Sequence, residues 1–307
     1  MRTAVLDLGT NTFNLVVAEK LNGKIEFILK DKIPVKLGSN GFKNKMITPE
    51  AMERGLNGIA MLVNEAQSAG AEQIYAFATS ALRGAKNATD FISQIKSDFG
   101  IDIEIISGDK EAELIYYGVK HANILGDEKV LIMDIGGGST EYIIADKSGP
   151  IWMKSYDIGA ARLLDMFNPE DPIDGATKQK ILTFLQEETE ELHRKIKEHK
   201  ISMLIGSSGS FDSVVDMIAA DEKRPYPVEK VSSEIKLADL ERILAEMVTA
   251  SVAQRHARNG LISMRVDFIV MSCLLIQSLL QNHAFQKVLQ CGYSLKEGAV
   301  FKTFSQQ

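Results

Sequence analysis

Two cysteines, Cys273 and Cys291, occur in 307 residues, and they share no C-x-x-C or other ligand spacing. That absence excludes a disulfide scaffold and a cysteine-based zinc module, and it fits a reducing compartment. The chain also lacks an apolar leader, because MRTAVLDLGT reaches Asp7 before any long hydrophobic run can form, so no signal peptide is expected. Its most apolar segment, Phe268 to Leu280, is shorter than a bilayer crossing requires and reads as a buried helix. No membrane contact and a cytoplasmic location are the expectation. Positive charge is not in excess either: 35 Lys and Arg stand against 41 Asp and Glu, a net charge of -6. DNA and general nucleic-acid binding are therefore disfavoured, although a local basic groove is compatible with an acidic whole. The five histidines show no metal-ligand spacing and read as ordinary polar positions.

What remains is the composition of a soluble globular protein, 45% hydrophobic and 25% charged. The length exceeds what one core usually holds, which predicts two domains or one duplicated unit. The arrangement favours duplication. VLDLGTNTFNLVV, from Val5 to Val17, and MDIGGGSTEYIIA, from Met133 to Ala145, both place an Asp at the end of an apolar run, a glycine-and-hydroxyl turn after it, and a second apolar run beyond.

The elements around the two turns also repeat. Strands are expected at Thr3 to Asp7, Asn14 to Glu19 and Lys24 to Leu37, with Asn22-Gly23 as a tight hairpin turn. A helix capped by Thr48 with Pro49 at its first position follows, then a strand at Gln73 to Ala78, a helix at Asn87 to Phe99, a strand at Asp102 to Ile106 and a helix at Asp109 to His121. The second half opens with strands at Lys129 to Asp134, Thr140 to Asp146 and Ile151 to Asp157. A long helix over Gly175 to Glu198, a strand at Ser202 to Ile205 and a helix at Gly209 to Ala219 come next. An exposed loop over Asp221 to Ser233 leads to helices at Leu237 to Ala257 and Arg265 to Gln281, a strand at Lys287 to Gln290 and a terminal helix from Ser294. Two βββαβαβα units, residues 1-124 and 125-293, would face each other across a cleft.

The chemistry of the turns says what such a cleft holds. Thr10, Asn11 and Thr12 offer side-chain hydrogen bonds, and Gly136, Gly137 and Gly138, followed by Ser139 and Thr140, allow several N–H groups to converge on one anion. Phosphate oxygens are the natural occupant. Asp7 and Asp134 would direct carboxylates at a divalent cation that neutralises those oxygens, with Glu141 as a further candidate. A third loop, Gly206-Ser207-Ser208-Gly209-Ser210, follows an apolar strand and opens a helix, where the helix dipole favours an anion. The helical turn after Ser107 carries three acids, Asp109, Glu111 and Glu113, which are equivalent by charge alone.

These segments, together with ATSALRGAKN (Ala78 to Asn87), ISGDKEAELIYYGV (Ile106 to Val119), DIGAARL (Asp157 to Leu163) and RVDFI (Arg265 to Ile269), resemble the exopolyphosphatase and guanosine pentaphosphate phosphohydrolase family. The resemblance implies a duplicated, actin-like α/β fold and a magnesium-dependent hydrolase, with another divalent cation as a substitute. It implies inorganic polyphosphate or the phosphorylated guanosine alarmone as substrate, a homodimer, and a terminal helix, 294-307, packed back on the first domain. It assigns the catalytic carboxylate to Glu111 and a phosphate-binding role to Arg83. Arg265 and Asp267 match an R-x-D pattern that reads as a structural ion pair near the cleft. The chain departs from the pattern at Asn14, where relatives carry Arg or His, at Glu113, and at Ser294 and Lys296 in GYSLKEG. The changes at Asn14 and Glu113 remove positive charge and weaken the expectation of tight binding to a long polyanion. Two other classes share the same turns: an ATP-using kinase or ATPase, and a non-catalytic polyphosphate or nucleotide sensor.

Overall fold

The computed structural model describes every residue except Asn40, Ser208, Glu229, Gln306 and Gln307. In the first half β1 (Arg2–Leu8), β2 (Thr12–Leu21) and β3 (Lys24–Pro34) form an antiparallel meander. Asn22 and Gly23 both have positive φ, 50° and 78°, which suits a two-residue turn between right-twisted strands. Helix α1 (Pro49–Ser68) starts as its sequence dictates, with Thr48 Oγ1 accepting the Ala51 N–H at 3.3 Å. A short α2 (Ser80–Gly84) and α3 (Ala88–Phe99) lie between β4 (Gln73–Ala78) and β5 (Ile103–Ile105), and α4 (Gly108–His121) ends the half. β4 runs parallel beside β1 and β5 parallel beside β4, giving the order β3-β2-β1-β4-β5.

The second half repeats this plan. β6 (Val130–Ile135), β7 (Thr140–Ala145) and β8 (Pro150–Tyr156) form the meander, and β9 (Met203–Ser207) runs parallel beside β6. β11 (Lys287–Cys291) extends the parallel part, and β10 (Ser232–Ile235) is added antiparallel at the edge. Read from β8, the order β8-β7-β6-β9-β11 matches that of the first sheet. The fold is the duplicated actin-like α/β architecture.

Three helical expectations are corrected, and α2 and α5 were not expected. The helix over Gly175 to Glu198 is two, α6 (Gly175–Glu188) and α7 (Glu190–His199), because buried Thr189 turns its hydroxyl back onto the Leu185 carbonyl at 2.6 Å and leaves the helical conformation. The one over Leu237 to Ala257 is also two, α9 (Leu237–Thr249) and α10 (Val252–Ala257), since Ala250 is extended and Ser251 starts a new helix with a capping box to Gln254. The segment from Arg265 begins as a 3-10 turn, Ser263–Arg265, before α11 (Ile269–Asn282). An unforeseen α5 (Ala160–Phe167) follows β8. The segment read as a loop over Asp221 to Ser233 holds the end of α8 (Gly209–Asp221) and the start of β10, whose Ile235 is buried.

Each half has its own apolar core, and a third lies between the two sheets. It takes Val5 and Val16 from the first sheet, Ile132 and Ile143 from the second, and the inner faces of α4 and of the terminal α12 (Leu295–Ser305). The two helices cross at glycines: a Cβ on Gly298 would overlap the Leu114 carbonyl oxygen, and one on Gly118 would overlap the Ser294 carbonyl. Helix α12 packs on α4, β1 and β2, so the chain ends against its first half. Among the described residues no helix is long and apolar enough to cross a membrane.

Candidate active site

Pairing register places the charged side chains. Asp7 lies opposite Asn14 and Asn14 opposite Lys32, and directly paired residues of antiparallel strands project from one face. The second half sets Asp134, Glu141 and Ser155 in the same ladder. The two ladders meet at a cleft lined also by Thr10, Asn11, Thr12, Gly136, Gly137, Gly138, Ser139, Gly209 and Glu111.

Both turns close internally, with Gly9 N–H donating to the Thr12 carbonyl and Gly136 N–H to that of Ser139. They also touch: a Cβ on Gly137 would press on Asn11, and one on Gly138 on Ser80 Oγ and Thr10 Oγ1, so glycine is needed for this approach. Thr10 Oγ1 and Asn11 Oδ1 are buried without a partner among the described residues. Buried polar atoms without partners are costly, and these two mark where a ligand belongs.

Glu111 is the acid of its helical turn that reaches the cleft. Ser107 caps α4, Asp109 points to solvent, and Glu113 is taken by Lys110 at 3.1 Å and by Lys302 of α12 at 2.6 Å. Arg83 donates from Nη1 to Glu111 Oε2 at 3.0 Å and to the Ile106 carbonyl. It does so from α2, where a strand-to-helix loop was expected.

The carboxylates hold their protons strongly. Burial raises Glu111 to about 7 against the opposing charge of Arg83. Burial likewise raises Asp134 to about 7, against a hydrogen bond from Ser207, and Asp7 to about 6, against the charge of Lys296. Glu141 is pushed well above the carboxylate range by burial and by Glu111, although Ser155 Oγ donates to it at 2.6 Å. Asn14 donates to Asp7 Oδ2 at 3.0 Å and Ser207 to Asp134 Oδ2 at 2.8 Å, so Oδ1 of each has no donor among the described residues. No three His, Cys, Asp or Glu side chains among the described residues come together closely enough to hold an ion alone.

Other expected residues face elsewhere. The Thr140 hydroxyl is buried and donates to the Ile158 carbonyl. Gly206 is covered by the Phe211 ring, Ser210 is buried in α8, and Ser207 serves Asp134 and the Tyr293 carbonyl. Ser208 lies outside the described residues. Arg265 and Asp267 do not pair with each other: Arg265 lines the cleft, and Asp267 accepts from Lys36 of the first half at 2.7 Å. Sequence reasoning passed over Lys32 and Ser80 and noted Lys296 only as a departure from the family pattern, yet all three line the cleft. Lys296 is held by Glu297 at 3.3 Å, which Lys30 also pairs at 2.8 Å. Burial opposes the charge on Lys296, but Glu297, Asp7 and Asp212 outweigh it and raise its pKa. Lys32 carries no local signal, because KIEFILKDKIP does not alternate and only the pairing with Asn14 brings it to the cleft.

The family model described as the Ppx/GppA phosphatase family matches residues 16–307. A Haemophilus influenzae protein provisionally named an exopolyphosphatase is 29% identical over 298 residues, covering 97% of this chain and 90% of the relative. The crystal structure of an exopolyphosphatase from Cytophaga hutchinsonii superimposes with a TM-score of 0.96 at 32% identity, covering 100% of this chain and 98% of that one. An Aquifex aeolicus member of the Ppx/GppA family shares the fold with a TM-score of 0.81 at 22% identity, over 100% and 98% of the two chains.

Proposed function

The chain belongs to the Ppx/GppA phosphatase family, and from that premise we propose that it hydrolyses the terminal phosphoanhydride of inorganic polyphosphate, with guanosine pentaphosphate as a second substrate. The observation that carries the proposal is Glu111, a buried carboxylate paired to Arg83 in the wall of a cleft floored by two phosphate-type turns.

In this reading Glu111 accepts a proton from water as the water oxygen attacks the terminal phosphorus. The bridging P–O bond breaks and its electrons remain on the departing chain. Its raised pKa suits a base that works near neutrality. Arg83 and the turn N–H groups oppose charge on the transferring oxygens. Magnesium fits the donor set: Asp7 and Asp134 supply oxygen ligands with one free atom each, and Mg²⁺ is commonly held by one or two carboxylates plus waters and substrate phosphates. Bound there, it would neutralise phosphate oxygens. Polyphosphate comes first because the cleft is lined mainly by charged, hydroxyl and glycine residues, and Phe268 is the one aromatic ring among them. The reading includes a homodimer, which sedimentation would test, and a cytoplasmic location.

The test is phosphate release by purified protein with magnesium from long and short polyphosphate, guanosine pentaphosphate and ATP, beside Glu111→Gln. Release from polyphosphate or pentaphosphate should fall by about 10²- to 10⁴-fold in the variant. Turnover of ATP alone would indicate a kinase or ATPase, and binding without release a sensor.

A further inference from the structure

The loop between β3 and α1 carries an exposed basic turn, Lys43 to Lys45, that the cleft does not use. Lys45 stands at the edge of a second cavity, of about 350 Å³, formed by Phe42, Met46 and Arg83 from the first half and Asp157 and Arg162 from the second. Ser80 lines both this cavity and the cleft. Arg162 forms the partition, donating from Nε to the Gly138 carbonyl at 2.7 Å and from Nη2 to Ser80 Oγ at 3.1 Å, while its guanidinium covers the Phe42 ring at 4.6 Å. Arg83 also lines this cavity and reaches Glu111 of the cleft through Nη1.

The cavity has cationic donors to spare. Arg83 engages only Nη1, Arg162 keeps Nη1 free, and the Lys45 ammonium meets no carboxylate, all among the described residues. Asp157 is the one acid among its lining residues, and its side chain is 73% exposed. Arg83 and Arg162 each answer one carboxylate, Glu111 and Asp157, so the Lys45 charge and the spare guanidinium N–H groups are left to favour a small oxyanion.

We infer that this cavity is a second phosphate site, through which the orthophosphate product leaves while the shortened chain stays in the cleft. The inference rests on the hydrolase reading. Water oriented by Glu111 attacks from the side away from the departing chain, so the freed phosphate ends beside Glu111 and Arg83. The shortened substrate still fills the cleft, and the free donors lie past Ser80.

Equilibrium dialysis of radiolabelled orthophosphate against the full chain tests this, using Glu111→Gln so that nothing turns over. One bound orthophosphate should survive saturation with tripolyphosphate, and Lys45→Glu should weaken it about tenfold. In the active background, Lys45→Glu should relieve inhibition by orthophosphate without changing KM for polyphosphate. Met46→Trp, which fills the cavity from an exposed position, should slow phosphate release and produce a burst in the first turnover. Complete displacement of orthophosphate by tripolyphosphate, or parental binding in both variants, would overturn the second site. A chain that hydrolyses no phosphoanhydride yet binds orthophosphate through Lys45 would lose the exit role and the hydrolase reading but keep the anion site. Hydrolysis without Lys45-dependent binding would do the reverse.

Discussion

At the scale of single residues, the site depends on carboxylates kept from water. Glu111 is 7% exposed and its proton is held to about 7, so near neutrality the free enzyme is divided between an ionised form that can accept a proton from water and a protonated form that cannot. A base with a raised pKa is inactive below it and active above it, so kcat/KM should rise through about pH 7 and level off on the alkaline side. A profile already flat at pH 5 would remove Glu111 from the role of base. Arg83 opposes the upward shift through its charge and hydrogen bond, so Arg83→Gln should move the rise to higher pH as well as lower the rate. Asn14 also finds an explanation at this scale. It stands where a positive side chain was expected, and it holds Asp7 through a neutral amide.

At the scale of elements, every strand but β10 was legible, and the helix breaks were not. β4 was readable to the residue, because apolar alternation and bounding polar turns are local signals. Thr189 and Ser251 break helices whose apolar spacing continues across the break, so periodicity alone joins what a buried hydroxyl and a capping box separate. Helix α5 escaped notice because its reason is tertiary: the N–H groups of Ala160 and Ala161 donate to the carbonyls of Gly136 and Gly137, which lets the helix brace the second turn. Among the three acids of α4, the choice of Glu111 rested on family resemblance, since only packing separates it from Asp109 and Glu113. The crossing of α4 and α12 is equally invisible in a linear pattern. Gly298→Ala would drive a methyl into the Leu114 carbonyl, and the helices must part to admit it. A loss of about 3 kcal/mol in a urea titration is expected, in the upper range for overpacking. An unchanged midpoint would show that the contact is slack. Because Lys296 is two residues away on the same helix, activity should fall with stability.

At the scale of the whole molecule, the proposed function asks an acidic protein to hold a polyanion, which poses a charge problem inside its own cleft. Duplication set two strand ladders face to face, but their contents diverged: the first presents Asp7, Asn14 and Lys32, and the second presents Asp134, Glu141 and Ser155. The cleft lining thus carries four acids, Asp7, Glu111, Asp134 and Glu141, against three cations, Lys32, Arg265 and Lys296. Where water is scarce such charges act strongly on one another, so a phosphate chain added alone would meet repulsion from the carboxylates nearest the turns. A divalent cation reverses that balance. Tripolyphosphate should therefore bind the Glu111→Gln protein at least about tenfold more tightly with magnesium than with a chelator, a gap of about 1.4 kcal/mol. Asp134→Asn, which removes one of the proposed ligands together with its charge, should close most of the gap by weakening the magnesium-dependent binding and easing the metal-free binding. Calorimetry with both proteins in both buffers reads this directly. Equal affinity with and without magnesium in the Asp134-containing protein would mean that Lys32, Arg265 and Lys296 carry the substrate unaided, and the paired aspartates would need another explanation.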